Sequence, residues 1–138
     1  PGKTLLARQL KAPNVIAIKL LADAQGNEVP PPPGLSNAQV GFSDIVLDPD
    51  AVVRRNLLFA RMDAEKDVYS FGLQLSLAYS GLSRQSVQVL PNALKIGQAV
   101  FPALSSDSGS YRDLDDRGYQ VLLNYRTGKQ IARVVSLT

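Results

Sequence analysis

The sequence has no cysteine and no histidine. That removes thiolate nucleophiles, imidazole bases, histidine-containing triads and most zinc sites together. The lack of cysteine does not assign a compartment, because secreted domains of this size fold without disulfides. Tryptophan is absent too, and aromatic residues are only 7% of the chain. They do not interleave with Lys and Arg, so no stacking platform for single-stranded nucleic acid is visible. The net charge is +3, from 15 basic and 12 acidic residues with no block of five or six like charges, and a nucleic-acid partner is not supported. The longest apolar run, Val15 to Ala22, contains Lys19 and falls far short of the roughly 20 residues needed to cross a bilayer. The start has no signal-like charged region followed by an apolar one, and reads as a segment of something longer. No fixed-period repeat occurs.

What is present fits one domain: 138 residues, of which 45% are apolar, can bury a single substantial core. Thr4 to Ala12 sets Leu5, Leu6 and Leu10 on one side and ends at Pro13, the pattern of a short amphipathic helix. Next comes VIAIKLL, whose near-continuous apolar content suits a strand covered on both faces. Asp23 to Gln39 is a polar connector through four consecutive prolines, Pro30 to Pro33, which favour an extended spacer. Val40 to Arg61 reads as a hairpin whose turn is Asp48, Pro49, Asp50 and Ala51. That register puts Leu47 facing Val52 and Asp44 opposite Arg55.

Val68 to Ser80 carries apolar residues at helical spacing, with Gly81 as the stop. The last third alternates strand material and turns: VQVL, LKIG, QAVF, GYQVLLNYR and IARVVSLT, with turns at Pro91-Asn92 and Thr127-Gly128-Lys129. A polar loop, Ser105 to Gly118, lies between them. The fold class expected is α/β, a mixed β-sheet flanked by a few helices in a single domain.

Three motifs invite chemistry. PGKTLLA lacks the upstream glycine, the spacing and the preceding strand of a phosphate-binding loop, and is set aside. Asp48 with Asp50, or Asp113 with Asp115 and Asp116, are the residue types of glycosidase carboxylates or calcium ligands, but Asp at such positions is also ordinary turn chemistry. On a regular strand Arg54 and Arg55 point to opposite faces, so at most one shares a pocket with the nearby carboxylates. That one either grips an anionic ligand or makes a structural ion pair. Asn124, Tyr125 and Arg126 close a strand, where polar groups line a crevice or cap a loop.

Taken in order, GFSDIVLDPDAVVRR at 41 to 55, YSFGLQLSLAY at 69 to 79, LKIGQAVFPAL at 94 to 104 and GYQVLLNYR at 118 to 126 resemble the later two-thirds of a CHASE2 domain. The resemblance runs from about Leu10 to the end of the chain. Ala51 stands where the family usually has glycine, which suggests a turn that needs no positive φ here. The resemblance implies a bacterial extracytoplasmic (periplasmic) sensory module of an inner-membrane receptor. Its partners would be flanking transmembrane helices, a cytoplasmic output enzyme such as an adenylate cyclase, histidine kinase or Ser/Thr kinase, and a small-molecule or environmental stimulus. Residues 1–138 would be one such domain lacking the family's first strand and helix. No catalytic residue, cofactor, metal or nucleic acid is implied, and a homodimer is compatible. Charge at the loop mouths makes Asp48, Asp50, Arg54, Arg55, Tyr111, Arg112, Asn124 and Arg126 the candidate ligand-binding set. The competing readings are a dimerisation module without its own ligand and a small hydrolase using acidic residues.

Overall fold

A computed structural model describes residues 2–63 and 66–125 of the chain. Arg126, the Thr127-Gly128-Lys129 turn and the IARVVSLT segment lie outside the described residues. The architecture is mixed α/β in a single domain, with two α-helices and three small sheets among the described residues. Helix α1 spans Gly2–Leu10 and buries none of its residues, so its leucine stripe lies at the surface, with Leu5 and Leu6 each 59% exposed.

Strand β1, Ala17–Lys19, is only three residues long and pairs in parallel with β2, Val40–Phe42. The VIAIKLL segment is thus not a strand covered on both faces. Ile18 and Leu20 are exposed, and Leu20 makes only an isolated antiparallel bridge to Val29.

The expected Val40–Arg61 hairpin does not form. β2 faces β1, and past Phe42 the chain leaves the ladder until β3, Arg55–Asp63. The cause is steric and topological. Residues 20 to 39 supply the long crossover that a parallel pair requires. On its other side β2 is clasped by α2, Phe71–Tyr79: a Cβ on Gly41 would lie 2.5 Å from the Phe71 Cα. A parallel bridge from Phe42 to Ser70 splices the β1–β2 pair to the next sheet. Asp44 does not meet Arg55; its Oδ2 accepts the Leu21 amide at 3.1 Å.

β3 is the centre of an antiparallel sheet, flanked by β4, Lys66–Tyr69, and by β8, Tyr119–Leu122, with register shifts on both sides. Val68 and Tyr69 belong to β4 rather than to the helix, since β-branched and aromatic residues suit the pleated surface. α2 begins after Ser70, whose Oγ accepts the Leu73 amide at 3.1 Å. It ends in a Schellman motif: Leu82 N–H reaches Leu77 O and Gly81 N–H reaches Ala78 O, with Gly81 at φ 64°. β5 (Val87–Leu90), β6 (Ala93–Ile96) and β7 (Ala99–Pro102) form an antiparallel meander turning at Pro91-Asn92 and Gly97. The core joins the two antiparallel sheets. The Phe59 ring stacks on Tyr119 at 5.5 Å beside the fully buried Leu94, and the Tyr119 hydroxyl donates to Phe101 O on β7.

Candidate functional site

The DPDA segment forms the expected tight turn, but as a free-standing loop. Ala51 N–H donates to Asp48 O at 2.8 Å, and Asp48 N–H donates to Val52 O at 3.0 Å. Ala51 sits at φ 61°, in the left-handed region, so the turn takes the conformation that the family's glycine suits and does so with a Cβ. The turn sends the Asp48 carboxylate inward, where its side chain is 3% exposed and meets an equally buried Arg55.

That pair is the hub of a closed polar network. Arg55 Nε donates to Asp48 Oδ1 at 2.7 Å, Nη1 donates to Gln120 Oε1 and to Asp115 O, and Nη2 donates to Leu47 O at 3.3 Å. Gln120 lies on β8 two places from the residue opposite Arg55, so both side chains share one face of the sheet. Its amide nitrogen donates to the carbonyls of Asp115 and Arg117, both at 2.9 Å. The Tyr111 hydroxyl donates to Asp48 Oδ2 at 2.8 Å, and its ring lies 5.7 Å from the Arg55 guanidinium carbon. Among the described residues every buried side-chain nitrogen and oxygen has a partner. Such a network ties the turn, β3, the 111–117 loop and β8 together, with four of the five Arg55 N–H donors used inside it.

Arg54 also reaches Asp48, Nη1 to Oδ2 at 3.2 Å, so both arginines converge on one carboxylate instead of diverging to opposite faces. Arg54 precedes β3, where strand alternation does not constrain it. Its guanidinium also grips Asp50 with both terminal nitrogens, at 2.7 and 2.8 Å. This outer pair is wet, with side chains 45% and 56% exposed. Beside it opens a recess of about 770 Å³ whose walls include Val52, Arg54, Ser110, Tyr111, Leu123 and Tyr125.

The electrostatics follow from these contacts. Burial pushes the Asp48 carboxyl upward, but hydrogen bonds from Arg55, Tyr111 and Arg54 outweigh it and leave the group below its ordinary value. The bidentate contact with Arg54 lowers the Asp50 carboxyl and raises the Arg54 guanidinium. Burial, then the bond to Asp48, raises the Tyr111 hydroxyl. In the acidic loop, the side-chain and backbone bonds from Arg117 bring Asp115 down to about 2. A general acid needs a carboxyl raised toward neutrality, and Asp48, Asp50 and Asp115 all move the other way. Among the described residues no three acidic side chains gather in a way that would hold a metal ion.

Of the eight sequence candidates, Asp48, Asp50, Arg54, Arg55 and Tyr111 come together here. Arg112 is exposed and donates to the carbonyls of Tyr111 and Gly109. Asn124 is exposed beyond the end of β8. Arg126 lies outside the described residues. Sequence reasoning missed Gln120, although a lone amide in the apolar run of GYQVLL signals a buried partner, and it missed the carbonyls of Leu47, Asp115 and Arg117, which no sequence pattern reveals. The CHASE2 domain family model matches residues 3–138. No curated protein and no solved structure matches the chain.

Proposed function

The chain belongs to the CHASE2 family, whose members are extracellular sensory domains and not catalysts, and from that premise we propose that it is the ligand-recognising part of a bacterial membrane-bound receptor. Its output enzyme, an adenylate cyclase, a histidine kinase or a Ser/Thr kinase, is another part of the same protein on the far side of the membrane. The ligand enters the recess beside Arg54.

The observation that carries this reading is the contrast between the two arginines. Arg55 is buried with its bonds made inside the fold, whereas Arg54, on the same carboxylate, is half exposed and borders a recess. The recess has a volume within the range of about 300–1,000 Å³ usual for small-molecule sites, and it combines apolar walls with a few polar groups. Signalling then requires that occupancy favour one arrangement of the 48–54 turn, since a ligand with equal affinity for two states moves nothing. Ser110→Trp, which fills the recess from its rim, should abolish the response of the parent receptor while the circular dichroism spectrum stays native. A folded Ser110→Trp receptor with an undiminished response rules the recess out.

A second reading, dimerisation without a ligand, is favoured by the exposed Leu122, Leu123 and Tyr125 at the outer strand β8. Small-angle scattering at several concentrations separates the two: persistent monomers count against dimerisation.

A further inference from the structure

Resting on the recess as the sensing site, we propose that its ligand is a small carboxylate with an apolar body, and that Asp50 is the internal plug this ligand displaces from Arg54. The walls dictate the class of molecule. Val52, Leu122, Leu123 and the exposed ring of Tyr125 offer apolar surface, and Ser110 adds a hydroxyl to the lining, whereas the Ser108 and Tyr111 hydroxyls are held by Ser105 and Asp48. Among the described residues one cation, Arg54, borders the space, and Asp50 occupies both of its terminal nitrogens in the side-on geometry that a free carboxylate would adopt.

Charge favours exchange over simple addition. Asp48 and Asp50 together balance Arg54 and Arg55, so an incoming anion that left Asp50 in place would make the cluster net negative. An anion that takes its place restores neutrality. The Asp50–Arg54 pair is half exposed on both sides, and pairs of that exposure hold weakly in water. The Asp48 bonds from Arg55 and Tyr111 are not touched by the exchange and keep the base of the recess intact. Among the described residues Asp50 is held otherwise only by its contact with the Val52 amide at 3.3 Å, within a turn whose Ala51 is already in the left-handed region. Release of Asp50 therefore opens the side-chain clasp on Arg54 while the backbone bonds of the turn persist, giving the recess a plugged and an open state that a ligand distinguishes.

The test is calorimetric titration of the chain with phenylacetate, and with phenylacetamide as the uncharged control. Phenylacetate should bind and phenylacetamide should not. Asp50→Asn keeps an acceptor for Val52 but weakens the plug, and should tighten phenylacetate binding by up to about fivefold, the factor that one surface ion pair supplies. Arg54→Gln should abolish binding while the melting curve stays cooperative. Equal binding of acid and amide, unchanged binding to a folded Arg54→Gln variant, or weaker binding to Asp50→Asn would overturn the proposal. If hexanoate and phenylacetate both fail to bind while Ser110→Trp still silences the parent receptor, the ligand class is wrong and the recess stands. If Ser110→Trp leaves the receptor responsive, the recess itself falls.

Discussion

Ala51 is the residue whose backbone and side chain disagree most plainly. It holds φ 61°, where a Cβ costs about 1–2 kcal/mol and glycine costs none beyond its chain entropy. Ala51→Gly is therefore expected to raise the unfolding free energy by roughly 0.5–1 kcal/mol in urea titration, against the usual penalty for introducing glycine. A decrease would mean that the turn is not strained. The carboxylates make a second residue-scale prediction. Asp48, Asp50 and Asp115 are held below their ordinary values, Asp115 at about 2. Folding thus favours their charged forms. The stability they lend is complete above the unfolded value near pH 4 and is lost as pH falls through the folded ones. Urea midpoints should be flat between pH 5 and 7 and decline steeply from about pH 4 toward 2; a midpoint unchanged at pH 2.5 would contradict this. On the alkaline side, burial raises the Tyr69, Tyr111 and Tyr119 hydroxyls, so their contribution is intact below about pH 10 and lost above it. Sequence alone picked out Asp48, Arg54 and Arg55 as a dense charge cluster. It could not divide them into a buried pair and a wet one, because that division depends on Gln120 and the Asp115 carbonyl, both brought up from a distant segment.

At the level of elements, the segments that read correctly were those with local punctuation. α1 ends before Pro13, α2 ends at Gly81, and the meander turns at Pro91-Asn92. The hairpin misread has a physical source. IVLDPDAVV has the β-branched content and the turn of a hairpin, but strand identity is settled by which ladder each residue joins, and Gly41 decides that by letting β2 lie against α2. Gly41→Ala would drive a Cβ into the Phe71 backbone at 2.5 Å. It is expected to cost about 1–3 kcal/mol or more and to speed amide exchange at Phe42 and Ser70, where the β1–β2 pair joins the larger sheet. Wild-type exchange and stability in that variant would mean that the β2–α2 contact does not hold the sheets together. β1 is shorter than the VIAIKLL run for a related reason: a continuous apolar run does not say how many of its residues will find a ladder partner.

For the molecule as a whole, a buried and saturated hub with a solvent-facing arm beside a recess suits a domain that changes arrangement on binding. The hub fixes the fold, and the arm is a half-exposed ion pair of the kind that holds weakly in water. The two arginines share one carboxylate but differ in exposure, and they are adjacent in sequence, so one pair of variants separates fold from function. Removing Arg55 leaves a buried Asp48 without its main partner, and Arg55→Met is expected to cost about 3–5 kcal/mol and to silence the receptor through unfolding. Arg54→Gln removes only exposed or shared contacts and should cost less than about 1 kcal/mol. The decisive measurement is the output of the parent receptor carrying Arg54→Gln, read beside the urea midpoint of the same variant. The account predicts a near wild-type midpoint with the response to stimulus lost; a near wild-type midpoint with the response intact would contradict it.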